Sequence, residues 1–337
     1  METPGVQVVP IDTHGGLGQI VAYGKVRRVI RNLKPDVLYM LGNRPLIGAE
    51  CPQAVHVCLP WAFYPESIAW RTLSFTERFI MKTRVQMTLQ HLTDASIVTT
   101  QTELMIRRIH KVTGLPYSRL ALVPNAFSAL PNLSVECTDI ANVIRHSPFK
   151  TKLICVARYM PNKNLEVLLK VADRLIEAGN KDVGIFLTLL PTQGRGAKCM
   201  LDAIKKFGRS NVLINLGEIP ITQLAECYKA VDALVFPSLL EAFSGVYVDC
   251  MHLSVPILTS DLDFAHEVCN NAAVYFNPLN PESILDAIDT LKNEPTMWES
   301  RLGIGRSIVN ASAMNWDTIA AKVIKIMESV YHNAEVH

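Results

Sequence analysis

The chain has 337 residues, of which 49% are hydrophobic and 19% are charged, and its formal net charge is +2 at pH 7. This composition excludes an intrinsically disordered chain, and the length suits two domains of about 150 residues each. The eight cysteines stand singly without a C-x-x-C pair, so neither a zinc site nor a disulfide framework is predicted.

No apolar run approaches the roughly 18 residues that span a bilayer, and the first ten residues do not resemble a signal peptide. We therefore expect a cytoplasmic protein. The first 150 residues carry 16 Lys or Arg and 10 Asp or Glu, whereas the remainder carries 17 and 21. A basic half is typical of a domain that meets an anionic surface or substrate, and equally of ordinary surface variation. The small total charge disfavours a nucleic-acid partner.

The first half predicts alternating strands and helices, followed by a polar, aperiodic candidate linker at 125–148. The predicted strands are 6–11, 37–41, 54–59, 95–99 and 120–123, and the predicted helices are 18–32, 66–92 and 103–113. The sequence Gly15-Gly16-Leu17-Gly18 is interpreted as a plain turn before the first helix.

The second half has a more regular alternation. Its predicted strands are 152–157, 183–190, 211–216, 233–236, 256–259 and 273–276, with helices between them and one or two closing helices after 298. This alternation predicts a doubly wound parallel sheet, which binds ligands at the carboxyl ends of its strands. The predicted divisions are an N-terminal domain at 1–130, a linker at 131–150, a C-terminal domain at 151–310 and closing helices at 311–337.

Two cations follow the first strand of the second half. Arg158 begins the loop after the strand, and Lys163 precedes the next helix. A helix N-terminus with a two-pronged Arg and a point-charge Lys suits a diphosphate. Asn162 and Asn164 beside them are also typical of a helix cap, so this pattern alone leaves both interpretations open.

Two carboxylates, Glu241 and Asp249, bracket a predicted helix start near Ser244. Carboxylates accept hydrogen bonds from pairs of sugar hydroxyls, and Gly245 allows close approach of a ligand to the backbone. The alternative is one carboxylate near a helix dipole and another on a solvated face.

Together these patterns resemble the donor-binding half of family 4 glycosyltransferases. That family has the GT-B fold, in which two Rossmann-like, doubly wound domains face each other across a cleft. Its basic pair matches Arg158 and Lys163, and its Glu, seven residues, Glu pattern matches Glu241 and Asp249. The likeness covers most of 120–320, including V-P-N at 123–125, P-I-L-T-S at 256–260 and F-N-P at 276–278.

The resemblance implies a retaining transfer of a hexosyl group from a nucleotide sugar to a glycan or lipid-linked acceptor in polysaccharide biosynthesis. It implies no metal and no other cofactor. Arg158 and Lys163 would hold the diphosphate and stabilise its departure, and with Glu241 they would form the catalytic set. The donor contacts implied are the sugar at Glu241, Phe243, Ser244 and Gly245, the ribose at Asp249, and the base at Gly217, Glu218 and Ile219.

Two departures from the family pattern matter. Asp249 stands where the family has its second Glu, so the side chain that would contact the ribose is shorter by one methylene. The start of the chain resembles the third strand of the family's first domain, so we expect that domain to be incomplete. The alternative function is therefore a catalytically impaired or partner-dependent subunit that binds nucleotide sugars.

Three other features have competing interpretations. His56 lies near the family's acceptor-side histidine, and is otherwise a core or edge histidine. Asp261-Leu262-Asp263 is predicted to cap a helix starting near Phe264 rather than bind metal. The helix at 68–92 mixes basic and aromatic residues, which suits either peripheral contact with the inner membrane face or packing between domains.

Overall fold

The structure, a computed structural model, describes Val9, residues 16–125, residues 139–311 and residues 315–335. The strand predicted at 6–11 lies outside the described residues except for Val9, and residues 126–138 of the predicted linker region also lie outside them. The described residues form two parallel sheets with helices around them. This arrangement confirms the predicted α/β class with two doubly wound halves.

The N-terminal sheet has four described strands in the order β1-β2-β3-β4, all parallel. Its strands are β1 (Leu38–Met40), β2 (Gln53–His56), β3 (Ile97–Thr100) and β4 (Leu120–Leu122), and its helices are α1 (Gly16–Leu33), α2 (Phe75–Leu92) and α3 (Glu103–Thr113). The helix α1 begins at Gly16, so the predicted turn at 15–18 is helical from its second residue onward.

The single helix predicted at 66–92 is instead two elements. A 3-10 turn, Ile68–Arg71, ends before Ser74, and α2 begins after it. Ser74 and Glu77 form a reciprocal capping box, with the Ser74 backbone N–H donating to Glu77 Oε2 at 2.9 Å. The sequence S-x-x-E is the signature of such a start. The prediction missed it because apolar residues continue on both sides.

The C-terminal sheet has six parallel strands in the order β10-β9-β8-β5-β6-β7. Its strands are β5 (Thr151–Cys155), β6 (Val183–Leu187), β7 (Leu213–Asn215), β8 (Ala233–Phe236), β9 (Ile257–Ser260) and β10 (Ala273–Phe276). This is the Rossmann order, in which the connections change direction between β5 and β8. A ligand is therefore expected beyond the carboxyl ends of these two strands.

The remaining described helices are α4 (Asp139–Arg145), α5 (Glu166–Glu177), α6 (Arg195–Ile204), α7 (Ile221–Lys229), α8 (Gly245–Leu253), α9 (Asp263–Cys269), α10 (Pro281–Asn293), α11 (Pro295–Ala311) and α12 (Trp316–Glu335). The helix α4 lies within the range predicted as linker, yet it packs against α7 and buries Ala141 and Ile144 in the C-terminal core. Seven residues are too few to show a clear helical period. The last helix, α12, contacts β2 of the N-terminal sheet.

Candidate functional site

Two loops leave the sheet at the point where its connections reverse. The first follows β5, contains Arg158 and ends in a 3-10 turn, Pro161–Lys163. The second follows β8 and runs from Pro237 to Ser244, where α8 begins. The two groups of residues that the sequence singles out therefore lie at neighbouring strand ends.

A direct ion pair connects these loops. Lys163 Nζ donates to Glu241 Oε1 at 2.6 Å, and the two side chains are only 16% and 11% exposed. Ser238 Oγ donates to the same carboxylate oxygen at 2.6 Å. Lys163 Nζ also lies 4.8 Å from the ring centroid of Phe236, at the end of β8. A pair so buried is held in one geometry, since each charge needs its partner away from water.

The asparagines on either side of Lys163 hold the acidic loop rather than cap a helix. Asn162 Nδ2 donates to the Leu240 carbonyl at 2.8 Å, and the Asn162 carbonyl accepts from Leu239 N at 2.7 Å. Asn164 has a left-handed backbone with φ of 53°, and its Nδ2 donates to the carbonyls of Pro237 and Pro278. The capping interpretation is therefore wrong for both asparagines. The sequence feature that marks this role is the Asn-Lys-Asn triplet at 162–164, in which an amide side chain lies on each side of the lysine.

The acidic loop is also anchored in the other domain. Leu239, Leu240 and Ala242 are buried in the hydrophobic cluster of the N-terminal domain, whose members include Val57 and Phe63. Ser67 Oγ donates to the Leu239 carbonyl at 3.4 Å. The residues flanking Glu241 are thus fixed by apolar packing from across the cleft.

The start of α8 has room for a ligand. A methyl group added to Gly245 would meet no atom within 4 Å, and Gly245 itself is exposed. Phe243 is partly buried, and Ser244 is buried at the N-cap position without a side-chain capping bond. The backbone N–H groups of this first turn can therefore be approached directly.

Asp249 lies one turn further along α8 and is partly buried. Burial raises the pKa of this carboxyl to about 6. Within the described residues no hydrogen bond or ion pair compensates the charge. A desolvated carboxylate without a partner is common at sites that bind a ligand.

The remaining predicted donor residues lie at the same edge of the sheet. Arg158 is exposed after β5, and its guanidinium makes no hydrogen bond or ion pair with the described residues. Gly217, with φ of +76°, turns the chain after β7, followed by the exposed Glu218 and the partly buried Ile219. In the described structure no hydrogen bond links Arg158 or Asp249 to the Lys163–Glu241 pair.

His56 ends β2, at the carboxyl edge of the N-terminal sheet. Its Nδ1 lies 3.0 Å from Thr99 Oγ1 and 3.4 Å from the Tyr39 hydroxyl, so β1, β2 and β3 each contribute one polar side chain. Burial lowers the pKa of His56, which favours the neutral imidazole. Its role on the acceptor side remains a prediction.

The Asp261-Leu262-Asp263 sequence behaves differently from the prediction. Leu262 occupies the N-cap position, and Asp263 is the first residue of α9. Asp263 Oδ1 accepts from the Phe264 N–H, while Oδ2 accepts from Arg108 of α3 at 2.6 Å. Asp263 thus joins the two domains, which sequence reasoning missed because Arg108 lies 155 residues away. Among the described residues, no group of three His, Cys, Asp or Glu side chains is arranged to hold a metal ion.

Residues 139–307 match the family of group 1 glycosyl transferases. The chain belongs to the group 1 glycosyltransferases. This membership agrees with the resemblance to family 4, and it covers both loops that carry the predicted donor residues. A segment of 80 residues is 34% identical to the O-antigen chain mannosyltransferase RfbU of Salmonella typhimurium, covering 24% of this chain and 23% of that protein.

Solved structures show that this group 1 glycosyltransferase has the GT-B fold. Sucrose-phosphate synthase from Thermosynechococcus elongatus superposes with a TM-score of 0.72 at 15% identity, covering 94% of this chain and 79% of that one. HepE from Anabaena, in complex with UDP and glucose, gives 0.69 at 17% identity, covering 94% and 83%. Alignments with the curated relatives span between 23% and 61% of their lengths. None of the helices described for this glycosyltransferase is both long and apolar enough to cross a bilayer.

Proposed function

We propose that the protein transfers a hexosyl group from a nucleotide sugar to a glycan or lipid-linked acceptor, with retention of anomeric configuration and without a metal. The donor lies beyond the carboxyl ends of β5 and β8, and the acceptor enters from the side of His56. The observation that carries the proposal is the buried Lys163–Glu241 pair, at 2.6 Å, where the connections of the sheet reverse.

Lys163 can serve two partners at once. Its ammonium has three donors, and the described contacts use one for Glu241. The remaining donors are available to a diphosphate bound beyond the strand ends, and the exposed Arg158 supplies a second positive charge after the same strand. Because both cations stabilise the charge that develops on the leaving diphosphate, they lower the barrier of the transfer step.

Glu241 is suited to bind the transferred sugar. Lys163 and Ser238 both donate to Oε1, and in the described structure Oε2 accepts no hydrogen bond. Oε2 is therefore available for sugar hydroxyls, next to the open first turn of α8. The partly buried carboxylate of Asp249 then accepts from the ribose, and the backbone at Gly217, Glu218 and Ile219 faces the base.

The relatives support the substrate class. RfbU is named as a mannosyltransferase of the O-antigen chain, and the HepE structure contains UDP and glucose. Both are consistent with a sugar nucleotide as donor and a glycan as acceptor for this chain. Lipid-linked acceptors lie in a membrane, so transfer to them takes place at a bilayer surface.

The experiment measures nucleoside diphosphate release from a panel of nucleotide sugars, with donor binding followed by thermal shift. Arg158→Ala is the cleanest variant, because the side chain is exposed and its loss leaves no unpaired charge. We expect donor turnover to fall at least about 100-fold, as for the loss of other electrostatic contacts to a transition state. Lys163→Ala should abolish it. Lys150→Ala, at an exposed Lys far from the loops, is the control and should behave as wild type.

Three outcomes separate the alternatives. Turnover that survives Arg158→Ala and Lys163→Ala contradicts the proposed site. Donor binding without release supports the impaired or partner-dependent subunit, since ligand binding alone raises the apparent melting temperature. Turnover that disappears with a chelator contradicts the metal-free mechanism.

A further inference from the structure

The first half of α2 exposes large apolar side chains to solvent. Phe75 is 88% exposed, Phe79 is 66% exposed and Ile80 is 53% exposed. Single exposed apolar residues are common, but three within six residues of one helix form a patch. Met87 lies two turns after Ile80, on the same side of the helix as Ile80, and is 44% exposed.

The helix buries its opposite side. At 100° per residue, Phe75 and Phe79 lie on one side, and Ile80 and Met87 lie next to them. The other side carries the buried Thr88 and Leu92, with the partly buried Met81 and Val85 packed into the N-terminal core. The exposed patch is therefore not the side of α2 that packs into the core, because the core contacts the opposite side of the helix.

Basic side chains surround the patch. Lys82 and Arg84 are exposed and form no ion pair with the described residues, and Arg78 donates only to the Leu73 carbonyl. Arg71 precedes the helix, and Arg44 reaches Met87 with its Nη1 3.9 Å from the sulfur. The single acidic residue of α2, Glu77, is engaged in the capping box. The patch and its rim thus combine exposed rings with cations that, among the described residues, have no carboxylate partner.

The patch borders the cleft between the domains. The 3-10 turn at Ile68–Arg71 contacts the Pro161–Lys163 turn that carries Lys163. Burial is the main cause of the raised pKa of Tyr159, which is next to Arg158 in the chain. The charge of Glu77 also raises this pKa, so Glu77 lies near Tyr159. A partner seated on the start of α2 would therefore lie beside the entrance to the donor site.

We propose that the exposed side of α2, with Phe75, Phe79 and Ile80 in its centre and Arg78, Lys82 and Arg84 around it, binds the surface of an anionic lipid bilayer. This proposal builds on the proposed function, since it delivers a lipid-linked acceptor directly to the cleft. Aromatic rings enter the interfacial region while Lys and Arg pair with anionic headgroups. A second copy of this chain fits less well, because a two-fold contact would bring like charges of α2 together.

Vesicle co-sedimentation without donor tests the proposal. Wild-type protein should pellet with vesicles containing about 30% phosphatidylglycerol, and less with pure phosphatidylcholine, with binding weakened by about 0.5 M salt. Phe75→Ser with Phe79→Ser should weaken binding by about tenfold or more, since two rings no longer leave water. Phe207→Ser, at a ring of similar exposure on the C-terminal domain, is the matched control and should not change it.

The charge requirement needs its own pair of variants. Arg78→Gln, Lys82→Gln and Arg84→Gln combined should lower binding to anionic vesicles by about fivefold per charge. Lys150→Gln, Lys170→Gln and Lys181→Gln remove the same charge from exposed positions elsewhere and should have a smaller effect. All variants should retain the wild-type melting temperature, because their side chains are exposed.

Several results would overturn the proposal. These are wild-type protein that stays in the supernatant, a Phe75/Phe79 variant that pellets like wild type, or a wild-type dimer that this variant converts to a monomer. Nucleoside diphosphate release, measured without vesicles, should be unchanged in the α2 variants. A failure of lipid binding with intact turnover therefore contradicts only this inference, and lost turnover in Arg158→Ala with intact lipid binding leaves it standing.

Discussion

Among the contacts between the domains, an apolar one and a polar one differ in chemistry. In the apolar contact, Leu239, Leu240 and Ala242 of the loop after β8 are buried in the N-terminal cluster. In the polar contact, Arg108 of α3 donates to Asp263 of α9 and to Glu66, and stacks over the Tyr64 ring at 3.8 Å. The first lies directly beside Glu241, and the second lies on another strand end of the C-terminal sheet.

The difference shows which contact positions the site. Leu240 is fully buried, whereas Asp263 is 39% exposed, so only the apolar contact excludes water. Burying apolar surface stabilises a contact in proportion to area, whereas a partly exposed ion pair contributes little. We infer that the N-terminal domain holds the loop around Glu241 in place through Leu239 and Leu240. Donor binding should then depend on both domains, although the charged residues come from one.

The largest effect should follow Leu240→Ala. Truncating a buried Leu costs about 2–5 kcal/mol of the free energy of unfolding, because transfer energy is lost and a cavity remains. The cavity here adjoins the backbone of Glu241, so affinity for the donor should fall with stability. Chemical denaturation and donor binding by calorimetry would measure the two effects separately.

Leu92→Ala provides the comparison, because Leu92 is equally buried in the same cluster but lies at the end of α2. It should lose a similar amount of stability and keep its affinity for the donor. Equal losses of affinity in the two variants, at a temperature where both are folded, would contradict the positioning role of the loop.

A smaller effect is expected for Arg108→Gln in the polar contact. The Arg108 side chain is 19% exposed. Its replacement removes an ion pair with each of two carboxylates and the contact with the Tyr64 ring, which together are worth about 1–2 kcal/mol. Since Glu241 is not involved, donor affinity should change less than in Leu240→Ala. If Arg108→Gln loses more free energy of donor binding than free energy of unfolding, the polar contact positions the site instead. Small-angle scattering would then show whether the separation of the domains has changed.

The sequence predicted the C-terminal domain well because its elements are local. The strands at 233–236 and 273–276 coincide with β8 and β10, and in the N-terminal domain the helix at 103–113 coincides with α3 for the same reason. Each is a short apolar run or a strongly amphipathic stretch with clear breaks. The patterns around Lys163 and Glu241 also depend on neighbouring residues, and the fold brings them to adjacent strand ends.

What the sequence did not predict depends on distant residues. Leu239 and Leu240 belong to the loop that carries Glu241, and no local pattern shows that they pack into a core formed by residues more than 120 positions earlier. Asp263 looked like a helix cap because its partner, Arg108, belongs to the other domain. The exposure of Phe75 and Phe79 was equally inaccessible, since periodicity shows that a helix has apolar residues and not which of them find a core.

Asp249→Asn should give the smallest change in stability, and in the opposite direction. Asp249 lies outside both contacts, and burial raises its pKa from the usual 3.8 to about 6. The folded state therefore holds this proton more tightly than the unfolded state, so stability falls as the pH rises from about 4 to 6 and stays at the lower level above that.

The full shift corresponds to about 3 kcal/mol, and partial exposure reduces the expected gain of the variant at pH 8 to about 1 kcal/mol. Near pH 3 wild type and variant should be about equally stable, because Asp249 is then largely protonated in both the folded and the unfolded state. Donor binding should weaken in the variant even as its melting temperature rises, since an amide replaces a carboxylate that accepts from the ribose. A variant that is less stable than wild type at pH 8 would mean that Asp249 has a structural partner, and the role in donor binding would lose its physical basis.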